Sequence, residues 1–332
     1  MTLVDELDKW KNKKVLIIGE ALIDKYIYGY ADRISPDAPV PNIKIEENLT
    51  YLGALGLVLQ FIKSLGGLPE VCTIVGNDFE GDFLIKKIKM LDIDTSGIVI
   101  DENINTPQIT RIRASNQQIL RLETDYSNEI SESTVQNFSN IISTRSQDID
   151  SIIILDYGVG GLFEDLFIQK LLDILREKYQ NIPIIARPNL SNYYLYENID
   201  LIKMNLQKAL RALSIDCCNE TSISIVGNKI INTTKCQSVL LNYLESDSYL
   251  FSKELEKNVK YEPILKLPVR SYVAVGSVIM AVLGLSYAAK ISVSNGVQLS
   301  LFAAALTAAL PPVEFYNIDK LHNFILENSN KK

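Results

Sequence analysis

Short apolar runs alternate with amphipathic stretches along most of the chain. The first run, KKVLIIGEALID at 13–24, is continuous and ends in a turn, which predicts a parallel strand buried on both faces. EVCTIVG, SIIILDYG, IPIIA and DLIKM are later runs of the same kind, and helical patterns separate them. This order predicts a doubly wound α/β fold built on a mostly parallel sheet.

Two segments, near 24–46 and 106–124, depart from this pattern. Tyr and Ile alternate with polar residues in the first, and QITRIRASNQQILRLETD in the second predicts a hairpin that turns at ASNQ. These periods of two predict half-exposed strands of a small β-sheet lid. We interpret residues 1–332 as one domain with the lid inserted in it. The pattern further predicts a helix over 49–67 and a strand over 262–267.

Composition narrows the classes of function. With 22% charged residues and a net charge of −7, the chain is not expected to bind nucleic acid or an anionic membrane. Acidic residues and a Trp at the start of the chain, with no apolar run long enough for a membrane span, predict a cytoplasmic protein. Adjacent Cys217 and Cys218 form no CxxC pair, and His322 is the single histidine, so no metal site is expected.

A turn of small residues opens the most apolar helix of the chain. SYVAVGSVIMAVLGLSYAAK, at 271–290, is typical of a strand end followed by a tight turn and a helix. Such turns hold phosphate groups in many enzymes because free backbone N–H groups point out of the helix. This turn contains Gly276 and no carboxylate. It is therefore either a phosphate site, what remains of one, or a packed helix start.

Several segments together carry a resemblance to a known family. They are RISPDAPVP, NQQILRLE, GEALIDKYIYG, LDYGVGG and KMNLQKA, of which the first two are the most specific. With them the chain resembles the ribokinase-like (PfkB) carbohydrate kinases over nearly its whole length, and most closely the heptose-7-phosphate kinase group. The resemblance implies a sugar beneath a β lid, ATP across the carboxyl ends of the strands, and a homodimer formed through the lids.

At the sugar end the match is partial. Asp24 stands where the family has an aspartate that grips sugar hydroxyls, and a carboxylate accepts two such hydrogen bonds at once. Gly53 matches the first half of a double-glycine loop, but Ala54 and Leu57 replace the second glycine and a sugar-binding Asn. The remaining substrate-binding candidates are polar residues of the lid: Arg33, Asn116, Gln117, Gln118 and Arg121. Turn formation and cross-strand pairing explain these lid residues equally well.

At the catalytic end the departures are larger. The family's Gly-Ala-Gly-Asp turn is Ala-Val-Gly-Ser here, so Ser277 stands where the aspartate would take a proton from the sugar. An unassisted hydroxyl is a poor base near neutral pH. We also expect the β-branched Val275 to resist the positive φ that a glycine-rich anion loop needs. Residues 274–277 are therefore interpreted as the remnant of a phosphate site.

Two charge reversals accompany this loss. The family's Asn-x-x-Glu motif is Asn205-Leu-Gln-Lys208, and its Asp-Pro-Lys strand end begins with Arg187. The acids that would organise Mg²⁺ are thus replaced by fixed cations. If Arg187 and Lys208 converge on Gly276, they form a nucleotide-site remnant that binds an anion without metal. If they do not converge, they are ordinary surface charges.

Three functions follow as alternatives. The favoured one is a catalytically inactive homologue, a pseudokinase, that acts by binding a sugar phosphate or another anion and needs no cofactor. The second is an active ATP- and Mg²⁺-dependent sugar-phosphate kinase in which Asp156, at a strand end, has become the base. The third is a purely structural subunit of a dimer or larger assembly.

Overall fold

A computed structural model describes residues 2–114, 117–126, 129–159, 161–215, 219–243, 246–264 and 268–329. Asn116, Cys217 and Cys218 therefore lie outside the described residues. The strands are β1 Lys14–Gly19, β2 Ala21–Ile34, β3 Pro41–Ala54, β4 Leu68–Gly76, β5 Ile98–Asp101, β6 Gln108–Ala114, β7 Gln117–Thr124, β8 Ser151–Leu155, β9 Ile184–Arg187, β10 Leu201–Asn205, β11 Ser238–Asn242, β12 Ser248–Ser252 and β13 Val259–Tyr261.

Helices connect most of these strands. They are α1 Leu55–Ser64, α2 Phe79–Lys89, α3 Glu132–Thr144, α4 Asp165–Lys178, α5 Leu206–Ala212, α6 Glu220–Thr234, α7 Val275–Ala288, α8 Val293–Ala309 and α9 Ile318–Ser329, with 3₁₀ turns at Val4–Trp10 and Tyr193–Leu195. Their alternation with strands confirms the α/β prediction. In the part of the chain that the structure describes, no helix combines the length and the apolar character that crossing a bilayer requires.

The larger sheet runs in the order β13-β12-β11-β10-β9-β8-β1-β4-β5. Its strands from β11 to β5 are parallel, and β12 and β13 add an antiparallel edge. Both faces are covered, as β1 illustrates. Val15 and Ile17 point into a core formed with α1, α7 and α8, while Leu16 and Ile18 point into a core formed with α3 and α4. The continuous apolar runs of the sequence arise because both faces of the central strands are covered.

The smaller sheet has the order β3-β2-β6-β7, which confirms the predicted lid. Strands β2 and β3 are each 14 residues long, and their pairing runs from Ala21 opposite Ala54 to Ile34 opposite Pro41. Both strands become more exposed with distance from the main sheet, because their far ends extend into solvent. The alternating pattern of the sequence marks this half-exposed region.

Three predicted boundaries were wrong. The first apolar run is interrupted at Glu20, where the chain passes from the main sheet into the lid. The helix predicted over 49–67 begins only at Leu55, since the preceding residues continue strand β3. Of the strand expected over 262–267, residues 262–264 have no regular structure and 265–267 lie outside the described residues, while a strand that was not expected runs over 259–261.

Helix α7 lies against the centre of the main sheet. A Cβ at Gly284 would come within 2.5 Å of Ile153 Cδ1, so only glycine allows the helix to approach β8 this closely. Val278, Ile279 and Val282 are fully buried in the same core. The apolar character of α7 is therefore explained by burial on all sides, and its first turn is held firmly at the carboxyl ends of the strands.

We predict that two chains associate through their lids. Tyr30, Ile45, Leu120 and Leu122 are between 41% and 64% exposed on the lid strands, an apolar surface that a second copy would cover. Light scattering at micromolar concentration should report twice the mass of one chain.

Leu122→Glu should shift that dimer to the monomer, because dimerisation would bury its charge. Ile225→Glu is the matched control, since Ile225 is 53% exposed on α6, away from the lid. A wild-type protein that scatters as a monomer, or equal dissociation of both variants, would contradict lid pairing.

Candidate functional site

The first turn of α7 has a backbone that normally favours glycine. Ala274, the residue before the helix, has φ 68°, in the left-handed region. The expectation that Val275 would resist such a conformation was misplaced, because Val275 is already the first helical residue. Gly276 and Ser277 follow in the first turn, and Ser277 is buried. The substituted turn has thus kept the shape of a helix that presents its N-terminus to a cavity.

Two cations lie side by side in front of this turn. Strands β9 and β10 are parallel, with Ala186 opposite Ile202, so the next position of each strand brings Arg187 beside Lys203. A Cβ added at Gly276 would lie 3.8 Å from Lys203 Nζ, which fixes the amine at the opening of α7. Like charges on neighbouring strands repel each other, and the positive end of the helix adds to the repulsion.

Lys203 is the most unusual residue of the site. It is 5% exposed, and its neighbours on the same sheet face include Ile185, Leu201 and Leu240. Burial, and then the charges of Arg187 and Lys208, lower the pKa of Lys203 to about 7. Within the described ranges, the Lys203 amine has no hydrogen-bond partner and forms no ion pair. One feature of the sequence indicates it: a lysine inside a strand whose two faces are both covered.

Arg187 is also incompletely satisfied. Its guanidinium stacks on the ring of Tyr157, 4.0 Å from the centroid, and its buried Nη1 lacks a hydrogen-bond partner among the described residues. A buried donor without an acceptor is costly, so a ligand that supplies acceptor oxygens would be stabilised here.

Lys208 and Asn205 complete this side of the cavity. Asn205 Oδ1 accepts a hydrogen bond from the backbone N–H of Lys208 at 3.0 Å and caps helix α5. The Lys208 side chain is exposed at the mouth. Arg187, Lys203, Lys208 and Gly276 therefore line one cavity of about 450 Å³, which we call the strand-end cavity.

Asp156 lies at the back of the strand-end cavity. Tyr196 donates a hydrogen bond to its Oδ2 at 2.9 Å, and the backbone N–H of Gly158 donates to Oδ1 at 3.1 Å. Burial raises the pKa of this carboxyl, and these hydrogen bonds offset part of the rise. Asp156 is 1% exposed. Its carboxylate therefore accepts hydrogen bonds within the protein and is scarcely accessible to a ligand.

Glu20, which we had not singled out from the sequence, adjoins Asp156. It accepts hydrogen bonds from the backbone N–H groups of Tyr157 and Val159 at 2.8 and 3.3 Å. Burial, followed by the neighbouring carboxyl of Asp156, raises the pKa of Glu20 to about 7. Glu20 thereby fixes the loop that carries Tyr157 and, through the stacked ring, the position of Arg187.

The lid contributes a second cavity of about 550 Å³, the lid-side cavity. Asp24 lines it and forms a buried ion pair with Arg111 from the adjacent lid strand. Gly53 lies directly against Asp24, since a Cβ there would be 2.9 Å from Asp24 Oδ2. Gln118, Arg113 and Arg270 also line this cavity. The sequence did not single out Arg111, because its pairing with Asp24 spans 87 positions of the chain.

The other lid candidates lie elsewhere. Arg33 is exposed near the far end of β2, and Arg121 is exposed and paired with Glu123. Gln117 is exposed at the start of β7. None of these three is among the residues that line the lid-side cavity, and Asn116 lies outside the described residues.

The donor set suits phosphate oxygens better than a magnesium ion. Mg²⁺ takes carboxylate and water oxygens in proteins. Among the described residues that line the strand-end cavity, Asp156 is the single carboxylate and is already hydrogen-bonded, while Asp24 is paired with Arg111. Within the described ranges, no group of three acids, histidines or cysteines lies together in a way that could hold a metal ion. Arg187, Lys203, Lys208 and the start of α7 fit an anion.

A model of the pfkB family of carbohydrate kinases matches residues 12–310. The chain belongs to this family. The match covers both sheets and α7, so the resemblance carried by the sequence segments is confirmed for nearly the whole chain.

Curated relatives agree with this assignment. The bifunctional protein HldE of Desulfatibacillum aliphaticivorans is 28% identical over 296 residues, which is 89% of this chain and 60% of the relative. That of Campylobacter fetus is 30% identical over 295 residues, 88% of this chain and 62% of the relative. The chain thus spans about three fifths of the length of these relatives.

Solved structures share the fold. Phosphofructokinase-2 from Escherichia coli, in complex with potassium, superimposes with a TM-score of 0.78 at 15% identity, covering 96% of this chain and all of the other. Ribokinase from Arabidopsis thaliana, complexed with ribose and ATP, gives 0.74 at 14% identity over 95% of this chain and 99% of the other. At this identity the likeness concerns architecture, and it confirms the predicted lidded α/β fold.

We predict that Ala274→Gly stabilises the protein. A left-handed alanine costs about 1–2 kcal/mol, and glycine returns about 0.5–1 of this as unfolded-state entropy, so a net gain of about 0.5–1 kcal/mol is expected. Urea unfolding measures it. Ala281→Gly, within the regular part of α7, should instead destabilise by about 1 kcal/mol or more. Equal losses in both variants would contradict a strained turn.

We further predict that sulfate affinity falls as pH rises through 7. Lys203 must be protonated to attract the anion, and its pKa of about 7 means that the charge is lost above this pH. A decrease of about tenfold between pH 6 and 8.5 is expected by calorimetry. Lys203→Met should flatten the profile. An unchanged slope would assign the effect to Glu20, whose pKa is also about 7.

Proposed function

We propose that this chain binds a sugar phosphate or a related phosphorylated ligand without Mg²⁺, and that it does not catalyse phosphoryl transfer. The observation that carries the proposal is the row of cations at the start of α7. Arg187 and Lys203 are neighbours, Lys203 is buried and Arg187 is half-buried, and among the described residues no acid forms an ion pair with either. A phosphate group would supply the missing charge and the missing acceptors together.

The lack of a base supports the second half of the proposal. Ser277 occupies the first turn of α7, where the family resemblance places an aspartate. A general base contributes about 10²–10⁴ in rate, and a serine hydroxyl cannot substitute for it near neutral pH. Asp156 is the alternative base, but it is 1% exposed, and Tyr196 and the backbone N–H of Gly158 each donate a hydrogen bond to one of its oxygens.

The ligand's identity is suggested by two features. The relatives named HldE and the resemblance to heptose-7-phosphate kinases favour a sugar phosphate. Arg111, Arg113 and Arg270 give the lid-side cavity a cationic lining beside Asp24, which suits a phosphorylated sugar better than a neutral one. The lid-side cavity shares Arg187 and Gly276 with the strand-end cavity, so one ligand reaches both.

Sulfate titration without Mg²⁺ tests the anion site. Calorimetry should detect binding that weakens as ionic strength rises. The double variant Arg187→Ala with Lys208→Ala should lose at least tenfold in affinity, since two charge-assisted contacts are removed. The control is Arg211→Ala with Lys87→Ala, which removes the same charge from α5 and α2 outside the cavity. Equal affinity in the wild type and both double variants would refute the anion site.

A turnover assay tests the proposed inactivity separately. With Mg²⁺, ATP and heptose 7-phosphate or hexose phosphates, we expect no product above the enzyme-free rate. Robust phosphorylation that Asp156→Asn abolishes would refute the inactive assignment and support a kinase with Asp156 as its base.

A further inference from the structure

Lys203 has the surroundings of a nucleophilic amine rather than those of a simple phosphate ligand. Phosphate-binding lysines are normally hydrated point charges, whereas this one is nine-tenths buried in an apolar sheet face. Its amine has no acid or carbonyl partner among the described residues and opens onto the 450 Å³ strand-end cavity. Desolvation beside other cations is the environment that activates lysine toward carbonyl carbon.

The flanking groups define what else a ligand must carry. Arg187 lies beside Lys203 on the neighbouring strand, and Lys208 stands at the mouth of the same cavity. Arg187 and Lys208 supply cationic hydrogen-bond donors of their own, so they can hold a phosphate while the Lys203 amine reacts. A ligand that satisfies all three residues has a phosphate and, a few bonds away, a carbonyl group.

We propose that Lys203 forms an imine with a phosphorylated aldehyde or ketone, such as the open-chain form of an aldose phosphate. The Nζ lone pair attacks the carbonyl carbon, the carbonyl π electrons move to oxygen, and that oxygen takes a proton. The resulting carbinolamine loses one water molecule as the C=N bond forms. The overall change is amine plus carbonyl to imine plus water, and it requires no oxidant, reductant or metal.

The inference rests on the proposed function in one respect only, namely that Arg187 and Lys208 bind the phosphate of the ligand. Neutral amine is the reacting form, and a lysine of pKa about 7 has a neutral fraction at pH 7 about a thousandfold above that of an exposed lysine. A less basic amine is also a weaker nucleophile, which takes back part of this advantage. We therefore expect Lys203 to react about a hundredfold faster than exposed lysines.

The probe is erythrose 4-phosphate, whose phosphate blocks closure of the sugar ring and leaves the aldehyde free. The protein is incubated with it at pH 7, the imine is trapped with cyanoborohydride, and peptides are mapped by mass spectrometry. The adduct should be found on Lys203 in the wild type and in Lys87→Arg, an exposed control on α2. It should be absent from Lys203→Arg, which keeps the charge but not the nucleophile. Labelling spread over exposed lysines would overturn the proposal.

Two further measurements separate the possible failures. Sulfate should protect Lys203 of the wild type from labelling, a readout that does not depend on whether the Lys203 variant folds. Erythritol 4-phosphate, which lacks the aldehyde, should bind by calorimetry but form no adduct. Binding of this alcohol without any adduct from the aldehyde would refute the imine and leave the anion site standing. No binding of either compound would refute both.

Discussion

The repulsion between the buried Lys203 and the cations beside it at the opening of α7 is the interaction on which the site depends. The carboxyl ends of parallel strands lie at one edge of the sheet, so the last side chains of neighbouring strands lie close together there. In this chain β9 and β10 bring Arg187 and Lys203 to that edge, and α7 adds the positive end of its backbone dipole. The packing of α7 against β8 fixes the distance, because Gly284 lets the helix approach Ile153 closely.

The protein tolerates this repulsion because core packing and strand pairing hold the surrounding residues in place. Two separate apolar cores cover the faces of the main sheet, and the strands at the site are paired on both sides. Glu20 fixes the neighbouring loop through two backbone N–H groups, and Tyr157 of that loop stacks on Arg187. The cations therefore cannot move apart to lower their energy. Lys203 lowers it instead by releasing its proton near pH 7.

The architecture could be predicted from the sequence because period and burial are local signals. Apolar runs identified the parallel strands, and alternation identified the lid. The boundary at Leu55 was missed because LGALG, with its small and apolar residues, fits a strand end and a helix start equally well. Glu20 was missed for a similar reason, since a single acid inside an apolar run does not reveal that the chain leaves one sheet for another.

The site was predictable only in part, because its members come from distant segments. The motif comparison brought Arg187, Lys208 and Gly276 to attention, and these residues do line one cavity. It did not identify Lys203, whose importance comes from burial, or Arg111, whose role comes from pairing with Asp24. Conversely, Arg33 matched a motif but lies far along β2, where burial has faded. A motif match predicts the strand on which a residue lies, whereas strand register and burial determine which groups its side chain contacts.

The substitutions at the catalytic end have one common explanation: fixed positive charges replace a metal ion and the acids that would hold it. A kinase of this family, as the resemblance implies, neutralises phosphate charge with Mg²⁺ and needs acids to hold the metal. Loss of the acids alone would leave a phosphate site with too little positive charge. In this chain the positions of two acids carry Arg187 and Lys208, and Lys203 lies beside Arg187 at the opening of α7. Under the proposed function, these fixed cations would hold the phosphate in place of the metal, and the absence of an acid at Ser277, not the cations, would account for the loss of transfer.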